Sequence, residues 1–580
     1  FGTQNKFQNT YDFGSNVNTS NSLQKSSSRG NTLLNNYTLT FDHAFGNHNI
    51  NALIGYEQIS SSSDGIDVRQ SDQALQPNYS FFQTSASQTF NPTGTFDANG
   101  LIKSQFARLN YNYNNIFYFS GAIRRDADFT KFGPGNQYGI FPSASASWRI
   151  TQSPFIQRMD LVWLDELKLR GSYGVIGNSN IPSYYFLSSY QTVGAQNFTA
   201  DGTRNIGVGQ TNLPNSNIKW ESLYETNIGL DAEFLNHKLF ATVEYYDKTT
   251  KNVLYAIPIP LSAGLGGTFQ TNIGSVKNKG VEVVLGYQNR KGRLGYSISV
   301  NGAFNKNKVV SLYGNNTNPF YDGSTDIGGG YGIMTGNAIS STQAGRSFAE
   351  FFGYQTEGIY STQKQINDHP QFVGDTAMLG DLIFKDVNKD GILSADDRTL
   401  IGNPNPKLIY GININLNWKG FDVALLFNGV SGVKLFNGVK AYAQDIFSDG
   451  NTTSDVFGAA YLGSNQLTSQ PRIGYFQTAT STFIKDPNGN YSKPNSYFVE
   501  NGSYLKLKNL QMGYTFSGQV INRLHMQSAR LFVMGNNLFT ITKYSGLDPE
   551  LSGSVTAHGI DNANAYPHTR IYTVGFDLNF

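Results

Sequence analysis

The sequence predicts an all-β protein, a transmembrane antiparallel β-barrel with about sixteen strands in this chain and long extracellular loops. Three observations lead to this fold class. Apolar and polar residues alternate in many segments, short connections alternate with long ones, and no apolar run approaches the roughly 20 residues that a membrane-spanning helix needs. A chain in a membrane without such helices must cross it as a closed barrel, because only helices and barrels satisfy every backbone polar group in lipid.

The segment from Gly380 to Gly429 shows the alternation most clearly. Even-numbered positions from Leu408 to Trp418 are all apolar, whereas positions 411, 413, 415 and 417 are Gly or Asn. Period two indicates a strand with one apolar and one polar face. The pattern resumes at Phe421 after Lys419-Gly420, which predicts a tight hairpin.

The same pattern along the whole chain predicts the wall of the barrel. The predicted strands are Gln4–Gly14, Asn35–Phe45, His48–Gln58, Lys103–Tyr113, Ile116–Arg125, Gly139–Ile150, Glu166–Val175, Lys219–Glu233, Lys238–Thr249, Gly280–Asn289, Arg293–Asn305, Leu408–Trp418, Phe421–Gly429, Ser503–Phe516, Ala529–Thr542 and Arg570–Phe580. Their predicted tight turns include Gly46-Asn47, Leu235-Asn236-His237 and Arg290-Lys291-Gly292. If Phe580 lies on the periplasmic side, every short connection is periplasmic and every long one extracellular.

The long connections are predicted to be loops. Ile59–Ile102 and Ile176–Asn217 are polar, and Lys306–Pro406 and Gly429–Gly502 are much longer than the loops of compact domains, which indicates a functional role. The chain turns through Thr151–Val162, and within Ile150–Leu164 a turn is favoured over a short helix. The whole chain, 1–580, is predicted to be barrel, with the extracellular regions 306–406 and 429–502 outside the membrane.

Composition excludes several classes of function. Charged residues make up 14% of the chain and the formal net charge is +2, so nothing indicates a nucleic-acid partner. Cysteine is absent, which excludes disulfides, thiolate metal sites and thiol catalysis. The chain begins at Phe1 without an initiator Met or a signal peptide, so we expect a mature or partial product.

One loop has the pattern of a calcium site. Residues 386–397 match the EF-hand loop, with hard oxygen ligands at positions one, three, five, seven, nine and twelve and Gly391 at the turn position six. The candidate metal ligands are Asp386, Asn388, Asp390, Ile392 through its carbonyl, Ser394 and Asp397. Position twelve is Asp rather than Glu, a shorter carboxylate. We expect a structural Ca²⁺ that stiffens an extracellular loop; the alternative is a turn without metal, since Asp, Asn and Gly favour turns unaided.

Other polar and aromatic groups have structural explanations that outweigh functional ones. Arg124, Arg125, Asp126 and Asp128 are expected to form a salt-bridged strand end at the rim. Trp148, Trp220 and Trp418 are expected in the interfacial aromatic belts. Loop aromatics that can stack on a sugar or a peptide, but more often pack loops together, are Tyr184, Tyr185, Phe186, Phe320, Tyr321, Tyr331, Tyr442 and Tyr461.

Catalysis has no support in the sequence. The seven histidines are scattered, without an HExxH pair, and no G-x-S-x-G elbow occurs. We therefore expect that the protein is not an enzyme.

Eight stretches occur in a consistent order along most of the chain. They are FARLNYNYNNIFYFSGAIRRDADFTKFG, FPSASASWRI, LKLRGSYGVIGN, IKWESLYETNIGLDAEFLNHKLFATVEYYDKTTKNVL, NIGSVKNKGVEVVLGY, the Gly380–Gly429 segment, ENGSYLKLKNLQMGYTF, and MGNNLFTITKYSGLDPEL with the closing strand Arg570–Phe580. Together they resemble the SusC/RagA-like branch of TonB-dependent outer-membrane transporters. The chain departs from that family at Ala127, where a Gly is common after the Arg-x-Asp segment, so this loop is expected to turn differently.

The resemblance implies active import of a bulky nutrient, an oligosaccharide or a peptide, with a SusD-like surface lipoprotein as lid and a TonB complex as the energy source. It also implies a barrel of about 22 strands. By this resemblance we expect the plug, the coupling box and about six strands of that family to precede Phe1, so that this chain resembles the C-terminal part of the barrel. Two alternatives stay open: a SusC-like barrel that is a structural subunit of a larger assembly with other envelope proteins, and a passive porin in outer-membrane lipid.

Overall fold

One sheet dominates the molecule. The computed structural model describes residues 2–580 except 9–10, 14–15, 19–21, 72–89, 199–203, 260–261, 263, 266–267, 290–292, 313–318, 324–333, 335–337, 376, 446–451, 455, 457–469, 478–481, 517, 519–524, 552, 554, 556–557 and 563–565. A 16-stranded sheet follows the order of the chain. Its strands are β1 (Gly2–Gln8), β2 (Ser22–Phe45), β3 (His48–Ser71), β4 (Phe90–Tyr113), β5 (Phe117–Asp128), β6 (Tyr138–Arg149), β7 (Leu164–Asn178), β8 (Glu221–Phe234), β9 (Leu239–Lys251), β10 (Gly274–Asn289), β11 (Leu294–Leu312), β12 (Leu408–Trp418), β13 (Phe421–Ser431), β14 (Tyr504–Phe516), β15 (Ser528–Thr542) and β16 (Ile571–Asn579).

Fifteen of the predicted strands correspond to one strand each of this sheet, whereas Gln4–Gly14 overlaps both β1 and the separate short strand Tyr11–Phe13. The all-β fold class is confirmed. The bounds of β2, β3 and β4 differ most, since each has 24 residues and β3 and β4 extend well into the predicted loop Ile59–Ile102. These extensions are rich in Ser, Gly, Asp and Asn, and they lack alternation. Without this alternation, the period-two pattern gives no signal for a strand.

The alternation produces one apolar and one polar face on each wall strand. In β16, Tyr572, Val574 and Phe576 are 73%, 73% and 72% exposed on the same face. A face of this kind is stable only against lipid. At the turn between β12 and β13, Trp418 is 49% exposed and stacks on Phe421 with ring centroids 6.4 Å apart, and its place in an interfacial belt stays a prediction.

The short turns have the left-handed backbone that tight hairpins require. Gly46 has φ +58° and the turn residues Leu235, Asn236 and His237 have φ near 60°. At Gly420, where φ is +89°, an added Cβ would lie 2.8 Å from the carbonyl oxygen of Thr515. The predicted turn at 290–292 lies outside the described residues.

The connection between β6 and β7 corrects one prediction. A 3₁₀ turn, Ile150–Gln152, and helix α1, Pro154–Gln157, occupy the segment predicted as a plain turn. Pro154 stands at the first position of the helix, where its fixed φ and missing N–H are tolerated. Trp148 donates its indole N–H to the Ser153 hydroxyl at 2.8 Å.

The remaining elements lie in the connections. Helices α2 (Gln363–Asp368) and α3 (Gly438–Gln444) are short, and none of the described helices has the length and apolar character needed to span a membrane. The short strands are Tyr11–Phe13, Asn16–Asn18, Tyr190–Phe198, Arg204–Gln210, Leu254–Pro258, Thr268–Asn272, Phe320–Asp322, Ser340–Thr342, Glu350–Tyr354, Thr356–Ile359, Leu382–Phe384, Arg398–Gly402, Lys434–Asn437, Gly474–Gln477, Thr482–Lys485, Val499–Asn501 and Ile560–Asp561.

Contacts divide the chain into two compact units. The first comprises Phe1–Ala146, Ser172–Tyr224 and Thr250–Ile273, and the second comprises Ser147–Gly171, Glu225–Thr249 and Gly274–Phe580. The connections β11–β12, β13–β14 and β15–β16 all belong to the second unit. We call these connections, residues 313–407, 432–503 and 543–570, the cap.

Candidate functional site

The cap has a hydrophobic core of its own. Phe436 forms a parallel bridge with Ile560 and an antiparallel one with Val499, so strands from two of its connections share a sheet. The core residues, all at most 5% exposed, are Met334, Ile339, Phe351, Phe436, Ala441, Val456, Ile473, Tyr491, Phe498 and Ile560. Because the core draws on all three connections, these long segments form a folded body rather than independent loops.

A second apolar cluster packs against residues 386–397, the predicted calcium-binding loop, which we call the ion loop. It consists of Tyr354, Phe372, Leu382, Phe384 and Leu393. Leu393 lies within the predicted loop, is 4% exposed, and donates its amide to the carbonyl of Gln371 at 3.1 Å. Residues 386–397 are therefore anchored to the cap by an apolar side chain at position eight.

The amino-terminal half of the ion loop is closed by side-chain to backbone hydrogen bonds. The Asp386 carboxylate accepts the amides of Lys389 at 2.6 Å and Gly391 at 2.9 Å. Asn388 donates its side-chain amide to the Asp390 carboxylate at 2.9 Å. Lys389 and Gly391 have φ of +62° and +84°, so the chain turns sharply at the position where the EF-hand pattern requires Gly.

The carboxyl-terminal half is closed by Asp397, which is fully buried. Its two oxygens accept the amides of Val387 and Ser394, each at 2.8 Å. The Ser394 hydroxyl accepts the amide of Asp396 at 3.1 Å. The predicted ligands thus lie in one loop, and they offer the carboxylate, amide, hydroxyl and carbonyl oxygens that Ca²⁺ prefers.

Two cap connections are joined by a buried polar network. Asp381, next to the second apolar cluster, pairs with Arg472, and both side chains are fully buried. Asn490 donates to the Asp381 carboxylate at 2.8 Å and to the Arg472 carbonyl at 2.7 Å. No pattern in the sequence marks this network, because its members are far apart along the chain and each alone reads as a loop polar residue.

Sequence reasoning also missed an ionic cluster between β14 and the β15–β16 connection. Asp548, Glu550 and His568 bring ligand atoms within 4.8 Å of one another, which is metal-binding spacing. Lys506, however, is 1% exposed and approaches Glu550 at 2.7 Å and Asp548 at 3.2 Å. Lys508 approaches Glu550 at 3.2 Å. The lysines neutralise the carboxylates, so the cluster fastens the cap to the wall rather than binding a cation.

The pKa values of the two carboxyl groups agree with this role. Burial opposes ionisation of Asp548, but hydrogen bonds from the Glu550 amide, His568 and Lys506 hold its pKa below the ordinary value. The pKa of Glu550 is likewise lowered, against its burial, by Lys506 and Lys508. Both groups therefore stay charged and paired at neutral pH.

The predicted charge cluster of β5 divides between the two faces of the strand. Arg124 pairs with Glu57 at 2.9 Å and with Asp126 at 2.7 Å, which confirms a salt-bridged strand end. Arg125 instead lies over the Tyr138 ring at 4.1 Å. Asp128 is buried and accepts the amides of residues 130 and 131, both at 3.1 Å, so it closes the following turn.

One of the three predicted belt residues was misplaced. Trp220 packs against the buried cluster of Phe132, Ile181 and Ile218 and donates its indole N–H to the Gln137 carbonyl at 3.0 Å. The sequence places Trp220 at the start of the predicted strand Lys219–Glu233, but the strand begins only at Glu221. A tryptophan with a satisfied N–H in a loop core is not available to the membrane interface.

Most described loop aromatics pack against the protein. Tyr185 donates its hydroxyl to the Thr268 carbonyl, and Tyr321 lies 4.9 Å from the Phe352 ring. Tyr184 lies 6.4 Å from Phe186. Phe320 lies in the strand Phe320–Asp322, and Tyr442 lies in α3. Tyr331 and Tyr461 lie outside the described residues.

Comparisons with known proteins identify the relatives of this chain. A model of the TonB-dependent receptor-like β-barrel family matches residues 1–360. TonB-dependent receptor P3 of Formosa agariphila is 30% identical over 562 residues, 95% of this chain and 52% of the relative. TonB-dependent receptor SusC of Bacteroides thetaiotaomicron is 26% identical over 487 residues, 83% of this chain and 44% of the relative. The chain spans about half the length of these curated relatives.

Among solved structures, the RagAB peptide transporter shares the fold with a TM-score of 0.74 and 22% identity, over 97% of this chain and 56% of the other. The RagAB peptide importer in its open-open state gives a TM-score of 0.71 with 24% identity, over 97% of this chain and 55% of the other.

Proposed function

The chain belongs to the TonB-dependent receptor-like β-barrel family, and on this premise we propose that it forms the wall and the cap of an active importer. The importer moves a bulky nutrient, an oligosaccharide or a peptide, across the outer membrane of a Gram-negative bacterium. The curated relatives are receptors rather than enzymes, in agreement with the expectation that this chain performs no catalysis.

The folded structure of the cap is the main support for this proposal. A passive pore needs only a wall and short loops, whereas here three connections converge on one core of buried residues. The ion pair of Asp381 and Arg472 and the cluster around Lys506 add polar fastening to that core. Long connections with this much internal structure are typically functional. A rigid surface above the wall supports an interaction with a partner that covers the entrance.

We propose that a SusD-like surface lipoprotein is that partner and that a TonB complex supplies the energy. Similarity to the receptor SusC and to the fold of the RagAB transporter supports both partners. In this arrangement the cap is the docking surface for the lid, and the polar face of the sheet lines the path of the cargo. The chain contributes binding surfaces and a wall, and no bond is made or broken.

The ion loop has a place in the same arrangement. We propose that Asp386, Asn388, Asp390, Ile392, Ser394 and Asp397 hold a structural Ca²⁺, because six oxygen donors follow the EF-hand spacing and the turn at Gly391 has the required left-handed backbone. The ion would link the strand Leu382–Phe384 to the strand Arg398–Gly402. Its role is to stiffen one side of the cap.

Growth on defined nutrients tests the importer. A strain that lacks the gene is compared with the complemented strain on oligosaccharide mixtures and on peptide mixtures as sole carbon source. We expect a growth defect on one nutrient class, and we expect a protonophore to abolish uptake of that class by the complemented strain. Equal growth of both strains on both nutrient classes would contradict the proposal.

A further inference from the structure

The first unit contains a cavity of about 470 Å³ on the polar face of strands β3 to β7. In the register of these strands, Leu53, Arg108 and Ala122 stand side by side, and Phe106 and Arg124 pair in the next row. All five line the cavity, together with Phe141 and Val175. The polar face of such a wall normally carries water-compatible groups, so an apolar recess at this position is unexpected.

Three glycines leave the space that the two aromatic rings of this recess occupy. An added Cβ at Gly55 would lie 2.4 Å from the Phe106 ring. The Phe141 ring leaves even less space, since a Cβ at Gly139 or Gly177 would lie 2.3 Å or 2.0 Å from it. Both rings therefore lie close against the wall, in space that a side chain at these glycines would fill. This arrangement keeps the cavity open and lines it with apolar surface.

Arg108 differs from several other arginines of the wall in its lack of an acidic partner among the described residues. Arg124 is neutralised by Glu57 and by Asp126, which also lines the cavity. Other arginines of the wall have acidic partners as well: Arg149 with Glu166, Arg170 with Asp231 and Glu244, and Arg530 with Asp422 and Asp577. The Arg108 side chain is exposed, and its guanidinium has no acidic or hydrogen-bonding partner within the described part of the chain.

We propose that this recess is a binding subsite for a carboxylate attached to an apolar ring-sized group, with Arg108 holding the carboxylate and Leu53, Phe106 and Phe141 contacting the apolar face. A guanidinium binds a carboxylate through two parallel hydrogen bonds, which gives orientation as well as affinity. The volume is within the range of pockets that bind small ligands. The subsite lies on the face that the cargo passes, and so this inference rests on the proposed importer function.

The same ligand chemistry occurs in two kinds of cargo, a peptide end with an aromatic side chain and a uronic-acid sugar. Ligand-observed NMR on the intact receptor, purified from the outer membrane, separates them with four probes. The probes are N-acetylphenylalanine and its neutral amide, and methyl glucuronide and methyl glucoside. We expect at least one acid to bind and to outcompete its neutral counterpart by roughly tenfold or more, because a hydrogen-bonded charge pair is lost in the neutral probe.

The variant Arg108→Gln should remove this preference. Arg69→Gln is the matched control, since Arg69 is also exposed on a wall strand but does not line the cavity. Heat-modifiable electrophoretic migration checks that each variant is folded. Absence of acid binding, or an acid preference that survives in Arg108→Gln, would overturn the inference. Binding of the probes requires no transport, so a wild-type growth defect without acid binding would contradict the subsite alone.

Discussion

Arg472 and Asp381 form a fully buried, two-point ion pair between the second and the first connection of the cap. The Arg472 Nε lies 2.9 Å from Oδ1 of Asp381, and Nη2 lies 2.5 Å from Oδ2. The Met378 amide and the Asn490 side chain donate to the same carboxylate, each at 2.8 Å. Loss of either charge would leave the other without compensation in a site closed to water.

Asp381→Asn is therefore expected to lower the free energy of local unfolding of the cap by about 3–5 kcal/mol, the usual effect of removing one partner of a buried pair. Hydrogen exchange of the segment 378–384 in the intact receptor measures this change. Asp368→Asn is the control, because its pair with Lys364 is exposed and such pairs contribute at most about 1 kcal/mol. Equal protection in the two variants would contradict a structural role for the buried pair.

Calcium is expected to bind the loop 386–397. Isothermal titration with CaCl₂ should give a dissociation constant below about 1 mM, as in extracellular modules. Asp390→Ala removes a ligand and should abolish binding, whereas Asp396→Ala changes an exposed carboxylate outside the ligand set and should preserve it. If wild-type receptor releases or absorbs no heat with Ca²⁺, and chelators leave exchange in this loop unchanged, the loop is a turn without metal.

The turn that begins at Asp486 should be stabilised by acid. Burial raises the pKa of Asp486 from 3.8 to about 6, although the amides of Tyr491 and Ser492 and the charge of Lys493 favour its ionised form. A carboxyl group with a raised folded-state pKa contributes stability below its unfolded value, and this contribution is lost as pH rises through the folded value. Amide exchange at 486–492, corrected for intrinsic rates, should therefore show greater protection near pH 4 than near pH 7.

Asp486→Asn is the matching variant, since it keeps an acceptor oxygen but cannot ionise. It should flatten the dependence on pH between about 4 and 6. The exposed Asp368→Asn should leave that dependence as in wild type. A wild-type turn that is better protected at pH 7 than at pH 4 would contradict the assignment to Asp486.

Two glycines of the wall differ in the space that their surroundings leave for a side chain. A Cβ at Gly280 would lie 2.0 Å from the backbone carbonyl oxygen of Phe304, whereas nothing lies within 4 Å of a Cβ at Gly121. Gly280→Ala should destabilise the β10–β11 pair by about 1–3 kcal/mol or more, because backbone cannot move aside as a flexible side chain does. Gly121→Ala should be nearly neutral, and the fraction of heat-modifiable folded barrel distinguishes the two.

The wall was predictable because its alternation is a local property of the chain. Leu408 to Phe421 identifies its own hairpin from adjacent residues, and the observed register pairs Trp418 with Phe421 across the turn. The EF-hand pattern of 386–397 is local as well, and the chain forms one closed loop there.

The cap core and its polar network were not predictable. Phe436 meets Ile560, and Asp381 meets Arg472, across more than ninety residues of intervening chain, and no periodicity records such contacts. The long extensions of β3 and β4 were missed for a different reason, since their residues do not alternate between apolar and polar. The position of Trp220 was also not predictable, because only its neighbours in the folded chain show that it packs in a loop core and not in an interfacial aromatic belt.

In the importer that we propose, the cap is the docking surface of a surface lipoprotein. Affinity purification of the tagged receptor from native outer membranes, followed by mass spectrometry, tests whether such a lipoprotein binds. We predict a SusD-like lipoprotein in about equal amount with wild type and in clearly reduced amount with Asp381→Asn. Recovery of the receptor without such a lipoprotein, or with unrelated envelope proteins in its place, would contradict the claim.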